Sequence, residues 1–147
     1  MNVQQLQPAS LADLVAVARR HAEAEGAGDL VATMATLEGE PVYDLWPIGR
    51  RFSGMDAVER YYRYFFAEAA PRIRGFTLHA EWEGAEGLAQ DYSIDVDLDG
   101  ELRRFRVFGV LTFGRERMSG ERLYADEAFL RFLLGPIWDE TQDISSL

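Results

Sequence analysis

The sequence contains no cysteine, and all 15 of its basic residues are arginine. The first absence excludes disulfides, thiol nucleophiles, iron–sulfur clusters and thiolate zinc sites, and it agrees with a reducing compartment. The second excludes Schiff-base chemistry on a lysine and the phosphate-binding lysine of a P-loop. Histidine is scarce: His21 and His79 lie far apart with no spaced carboxylate motif between them, so a metal is not expected. No window approaches 18 uninterrupted apolar residues, and no basic region precedes an apolar core at the N-terminus. The expectation is a cytoplasmic protein with no membrane partner. Positive charge is also in deficit, giving a formal net charge of -10. Such a surface repels phosphate backbones, and no basic stripe interleaved with aromatics offsets it, so nucleic acid is not an expected partner.

The 147 residues suit a single domain, with a core over about 10–135 and a C-terminal tail containing Trp138. A chain of this length buries roughly 70% of the surface its unfolded form exposes, so it needs no staple.

The rest of the chain is organised around Glu40 to Phe66. A short strand, Glu-Pro-Val-Tyr-Asp-Leu-Trp, meets a turn at Pro47 and Gly49, and a helix follows. Ser53 with Asp56 three residues later has capping-box spacing and predicts where that helix starts. Val58, Tyr61, Tyr62, Phe65 and Ala69 then share one helix face, until Pro71 ends the run. Asp44 sits inside the otherwise apolar, aromatic strand, where a carboxylate has no evident packing role.

Upstream, Ser10 and Asp13 open a first helix whose inward stripe includes Val17, Ala18 and His21, and Gly26 and Gly28 close it. Asp29 caps a short second helix, Leu30 to Leu37. Downstream the period changes to two. Phe76, Leu78, Ala80 and Trp82 alternate with polar residues, as do Leu88 to Leu98, whose other face carries Asp91, Asp95 and Asp97 and reads as a solvated strand face. Asp99-Gly100 predicts a hairpin. A third strand of this series, Leu102 to Phe113, is apolar on both faces, a fourth covers Arg117 to about Asp126, and Asp126 to Leu134 reads as a helix. The order is α+β, with the helices gathered on one face of a curved sheet and room for a small-molecule pocket between them.

The motifs Gly28-Asp29-Leu30, Val42-Tyr43-Asp44, Ser53-Gly54-Met55-Asp56-Ala57-Val58 and Glu121-Arg122-Leu123-Tyr124-Ala125-Asp126 give the chain a resemblance to the nuclear transport factor 2-like superfamily. Within it they resemble the SnoaL-like polyketide cyclases and ketosteroid isomerases. The resemblance implies a cone-shaped, cystatin-like roll, with three N-terminal helices on the concave face of a curved, mainly antiparallel sheet. It implies Asp44 as a general base, His21 at the position of an oxyanion-stabilising tyrosine and Tyr62 at that of a supporting tyrosine. The second carboxylic acid of the isomerase oxyanion hole has no counterpart near Phe108 to Val110. In the cyclases an acidic residue near the end of the last long strand is catalytic, a role open here to Glu121 or Asp126, which alternation puts on opposite faces.

From the residues themselves, Asp44 among Tyr43, Leu45 and Trp46 reads either as a base raised by desolvation or as the partner of Arg50 or Arg51. Trp46, Tyr61, Tyr62, Phe65, Trp82 and Tyr92 are the expected lining of a pocket for a small hydrophobic ligand. The leading expectation is an acid–base enzyme acting on a hydrophobic carbonyl or polyketide-like substrate, chemistry that calls for no organic cofactor. The alternatives are a non-catalytic binding or assembly module and, more weakly, an epoxide hydrolase, for which Leu123 stands where an aspartate is needed. The doubly apolar strand predicts a homodimer through the outer face of the sheet.

Overall fold

The computed structural model describes residues 9–147. Helix α1 (Leu11–Ala27) opens on the predicted capping box, Ser10 and Asp13 each holding the other's backbone amide, and closes at left-handed Gly28. Asp29 caps α2 (Leu30–Ala35) through the Ala32 amide. Strands β1 (Leu37–Trp46) and β2 (Arg50–Ser53) form a hairpin that leads into α3 (Met55–Tyr64). The start of α3 departs from expectation: Gly54, at φ 95°, is the capping residue and no side chain bonds the first turn, so Ser53 remains the last residue of β2. The expected inward face persists, with Val58, Tyr61 and Tyr62 buried. After Tyr64 the helix widens into a π-turn, Phe65–Ala69, and tightens through Ala70–Arg72.

Strands β3 (Ile73–Glu83), β4 (Gly87–Leu98), β5 (Glu101–Phe113) and β6 (Met118–Tyr124) form an antiparallel meander, with Asp99 and Gly100 at positive φ in the β4–β5 turn. Helix α4 (Glu127–Leu134) follows, capped by Asp126. The expected tail is ordered: a 3₁₀ segment, Gly135–Glu140, buries Ile137 and Trp138, and β7 (Gln142–Asp143) joins the edge of the sheet. The strand order is β3-β4-β5-β6-β1-β2-β7, antiparallel throughout except for the parallel β6–β1 pair. The result is the expected α+β architecture, a curved and open mixed sheet with helices on its concave side. No helix among the described residues is long and apolar enough to cross a membrane.

Two irregularities decide which side chains face the helices. Between Leu78 and Ala80 the β3–β4 register slips by one residue. Such a bulge reverses the alternation of everything beyond it. Phe76 therefore lies on the cavity side of the sheet, though 59% exposed, with its ring centroid 5.1 Å from that of Tyr92, while Trp82 turns to the other face and meets Phe108 at 6.1 Å. The second irregularity is Gly120, at φ 139°, where a Cβ would collide with the Val42 carbonyl. Only glycine lets β6 lie this close to β1 in that conformation, and the next residue, Glu121, is aimed at the concave side opposite Tyr43.

Candidate active site

A cavity of about 460 Å³ lies between the helices and the concave sheet face. Its wall is mainly apolar, built from side chains such as Phe65, Phe76, Ile94, Leu111, Leu123 and Phe129, with Glu25, Glu121, Tyr61 and Tyr92 among the polar members. Gly109 also lines it, and a Cβ there would sit in ordinary contact with Leu123 and the Tyr92 ring, so that larger side chains would take up cavity space.

Beneath Glu121 the helices bring four polar side chains together. His21 is fully buried on α1; its Nδ1 lies 2.7 Å from Thr36 Oγ1, and its Nε2 lies 3.1 Å from Glu25 Oε1 and 3.0 Å from the Tyr62 hydroxyl. Tyr62, fully buried on α3, has its hydroxyl 2.6 Å from Glu25 Oε1, 3.1 Å from Glu121 Oε2 and 2.7 Å from the Tyr43 hydroxyl. Glu121 is 6% exposed, whereas the Glu25 side chain is 28% exposed and connects the cluster to solvent.

Counting protons fixes the orientation of the imidazole. The single hydroxyl proton of Thr36 is donated to the Thr33 carbonyl at 2.6 Å. Thr36 Oγ1 can therefore only accept from His21, so Nδ1 carries a hydrogen and Nε2 is the atom that gains or loses one facing the carboxylates. Burial opposes a charge on His21, but Glu25 and Glu121 outweigh it and raise the imidazole to about 8. Burial likewise works against the Glu25 charge, yet His21 and the Tyr62 hydroxyl hold this carboxyl below its usual range. Glu121 goes the other way: burial, then the charge of Glu25, push it up to about 8, with His21 and Tyr62 offsetting only part. Burial also drives the Tyr43 and Tyr62 phenols well up, so both stay protonated.

Near neutral pH the cluster accordingly holds imidazolium His21, carboxylate Glu25 and neutral Glu121. In that state Tyr62 donates to Glu25, and its oxygen accepts from Tyr43 and from the Glu121 carboxyl. When Glu121 ionises, the Tyr62 hydrogen can turn to it instead. Two carboxyls 2.6 and 3.1 Å from one phenol are thus held in opposite protonation states.

His21, Glu25 and Glu121 also offer one nitrogen and two oxygens within 4.8 Å of one another, a grouping that could hold a cation. A bridging cation would have to share the space that the Tyr62 hydroxyl fills.

Of the residues singled out in the sequence, His21, Tyr62 and Glu121 converge here, and Tyr61, Phe65 and Tyr92 line the cavity. Asp44 does not. It lies on the other face of β1, opposite Arg51 and Arg122 in register, and is held by Arg51 through bonds of 2.6 and 2.9 Å. The strand alternates, and Tyr43 and Leu45 take the inward positions on either side of it. Trp46 shares the outer face, paired with exposed Tyr124, and Trp82 is turned out by the β3 bulge. Asp126 is occupied as the α4 cap, accepting from the Ala128 amide at 2.8 Å. Alternation left Glu121 and Asp126 undecided, and the sheet puts Glu121 inside. Glu25 was missed in the sequence. Its signal was available, since it stands four residues after His21 on the same helix face.

No family model and no curated protein matches this sequence. Solved structures do. A steroid delta-isomerase from Pseudomonas aeruginosa superposes with a TM-score of 0.65 at 16% identity, covering 91% of this chain and 93% of that one. An NTF2-like protein of unknown function from Burkholderia pseudomallei gives 0.64 at 18% identity, covering 84% and 98%. The chain has the nuclear transport factor 2-like fold. An uncharacterised Silicibacter pomeroyi protein described as having a cystatin-like fold also matches, with a TM-score of 0.61 at 14% identity and coverage of 95% and 89%. At such identities the likeness extends to the NTF2-like architecture and says nothing of chemistry.

Proposed function

We propose that the protein is a general acid–base enzyme of the isomerase or cyclase kind, acting in its cavity on a small hydrophobic carbonyl or polyketide-like substrate. One observation carries this reading: Glu121, a buried carboxyl raised to about 8, faces an apolar cavity while a second carboxyl, Glu25, stays ionised behind the same phenol. Two carboxyls driven apart in this way supply a proton carrier matched to neutral pH, and the group that sets its proton affinity. Glu121 exchanges a proton with substrate; Tyr62 and the imidazolium of His21 steady the charge left on Glu121, while Glu25 raises its proton affinity and, from its partly exposed position, returns a proton from solvent. Asp44 has no part in this chemistry. The test is α-proton exchange in a panel of enolisable ketones by the wild type and by Glu121→Gln. Ligand retained through purification, with no exchange in any panel member, would favour the binding-module reading.

A separate observation supports self-association. Trp82, Phe108 and Tyr124 form an exposed aromatic row across the outer face of the sheet, with ring centroids 6.1 Å apart at each step. We propose that a second copy of the chain covers it, forming a homodimer.

A further inference from the structure

Two phenols in the cavity wall, Tyr61 and Tyr92, have no hydrogen-bond partner among the described residues. Tyr61 is only 4% exposed, yet no sealed side-chain oxygen or nitrogen among the described residues lacks a partner. The Tyr61 oxygen is therefore not sealed, and because the residue lines the cavity, it is reached from there. Its ring is fixed among Phe52, Tyr62 and Phe65, with centroids 5.2, 4.8 and 6.0 Å away, and it cannot easily turn to find a partner elsewhere. Tyr92 reaches the cavity from β4, its ring set between Phe76 and the gap left by Gly109. Burial, and then Glu121 and Glu25, push both phenols up, and Tyr92 adds to the shift of Tyr61, as expected of hydroxyls facing one interior.

The rest of the wall sharpens the chemistry. Among the described residues no arginine or histidine lines it, and the one side-chain amide, Gln90, is engaged through Nε2 with Glu81 at 2.9 Å. Tyr61 is buried and Tyr92 half-buried, and hydroxyls that face an apolar cavity with no protein acceptor are matched by an acceptor that arrives with the ligand. A carboxylate or phosphate would meet Glu25 with no opposing cation in the wall, whereas a neutral oxygen would not.

We propose that the Tyr61 and Tyr92 hydroxyls form the oxygen-binding pole of the cavity, holding the carbonyl oxygen of an uncharged hydrophobic ketone within reach of Glu121. As a binding statement this stands alone; as catalysis it rests on the acid–base reading above. In that reaction the ionised Glu121 takes the α-proton, the C–H electron pair becomes the new C=C bond, and the carbonyl π pair moves onto oxygen. The two phenols hold that charge by hydrogen bonds until a proton returns to carbon or to oxygen.

The test compares 2-acetonaphthone with its hydrocarbon analogue 2-isopropenylnaphthalene and with 2-naphthoate, titrated into wild type, Tyr61→Phe, Tyr92→Phe and Glu121→Gln. Removing one neutral hydrogen bond should weaken the ketone by about 3- to 10-fold in each tyrosine variant. Hydrocarbon binding should stay unchanged in both, and the naphthoate should fail to bind the wild type. The infrared carbonyl band of the bound ketone gives a second readout in the wild type, independent of variant folding: a downward shift from its position in alkane is expected. A band unshifted from alkane, equal losses for ketone and hydrocarbon, or no binding of the ketone would overturn the proposal. Unaltered α-proton exchange in Glu121→Gln, with the tyrosine signature intact, would instead remove Glu121 from the mechanism and leave the oxygen pole standing.

Discussion

Replacing Glu121 by glutamine keeps the shape and polarity of the side chain and removes its capacity to carry a proton. A positioned general base contributes about 10²- to 10⁴-fold, roughly 3 to 5 kcal/mol of barrier, and the variant should lose that much turnover. The pH profile carries more information than the rate. With Glu121 raised to about 8, only a small fraction is ionised at neutrality, so proton abstraction by the wild type should rise about tenfold per unit between pH 5 and 7 and level off above 8. His21 gives up its proton in the same range, so the two titrate as a pair and the profile reports macroscopic values. Exchange of α-protons in D₂O, followed by ¹H NMR from pH 5 to 9, measures both quantities. If the glutamine variant turned over at the wild-type rate, or kept the rising limb, the base would have to be sought elsewhere.

Three further outcomes follow from the same structure. His21 is raised above its unfolded value of 6.5 to about 8, so its contribution is complete below pH 6.5 and is lost as pH rises through 8; the shift corresponds to about 2 kcal/mol, or about 4–8 °C in Tm. Glu121, raised as well, favours the protonated folded state and tilts stability the same way above its unfolded value of 4.5, so melts from pH 5 to 9 should show a falling Tm and Glu121→Gln a flatter slope. A Tm that rises over this range would contradict both assignments. Asp44→Asn should leave exchange activity intact and cost about 1 kcal/mol in urea unfolding, because its partner Arg51 is one-third exposed and solvent screens the pair; a large loss of turnover would restore Asp44 to the mechanism. Sedimentation velocity at micromolar concentration should show a dimer that Phe108→Arg disperses, and a monomeric wild type would leave the outer aromatic row unexplained.

Much of the architecture was legible because local signals and burial agree. The Ser10–Asp13 box, the Asp29 cap, the Asp99-Gly100 turn and the change from helical to alternating periodicity all mark real boundaries. The start of α3 was misread because the Ser53–Asp56 spacing is satisfied equally by a strand end followed by a glycine, and Gly54 can adopt a conformation that Ser53 does not need to supply. Asp44 misled for a different reason. Apolar neighbours along a strand belong to two faces, and a carboxylate among them can look outward to a cross-strand arginine. His21 and Tyr62 were visible as inward stripes, but their meeting depends on how α1 and α3 pack, which no periodicity records.

The site itself follows from two departures from regular strand geometry rather than from any motif. Regular alternation along β3 would keep Trp82 on the side of Phe76 and fill the concave face with another large ring. The slip at His79 sends that ring to the outer surface, and the space over Gln90 and Gly109 stays open. A side chain at position 120 would force β6 away from β1, and the carboxyl of Glu121 would move from the Tyr62 hydroxyl, now 3.1 Å away. Moved into bulk water, the same glutamate would be an ordinary carboxylate. Its desolvation and its neighbour Glu25 make it a proton carrier near neutrality, and both depend on the backbone at Gly120. Gly120→Ala should therefore lower the apparent pKa of exchange activity as well as stability, a combination that a purely structural role for the glycine would not produce.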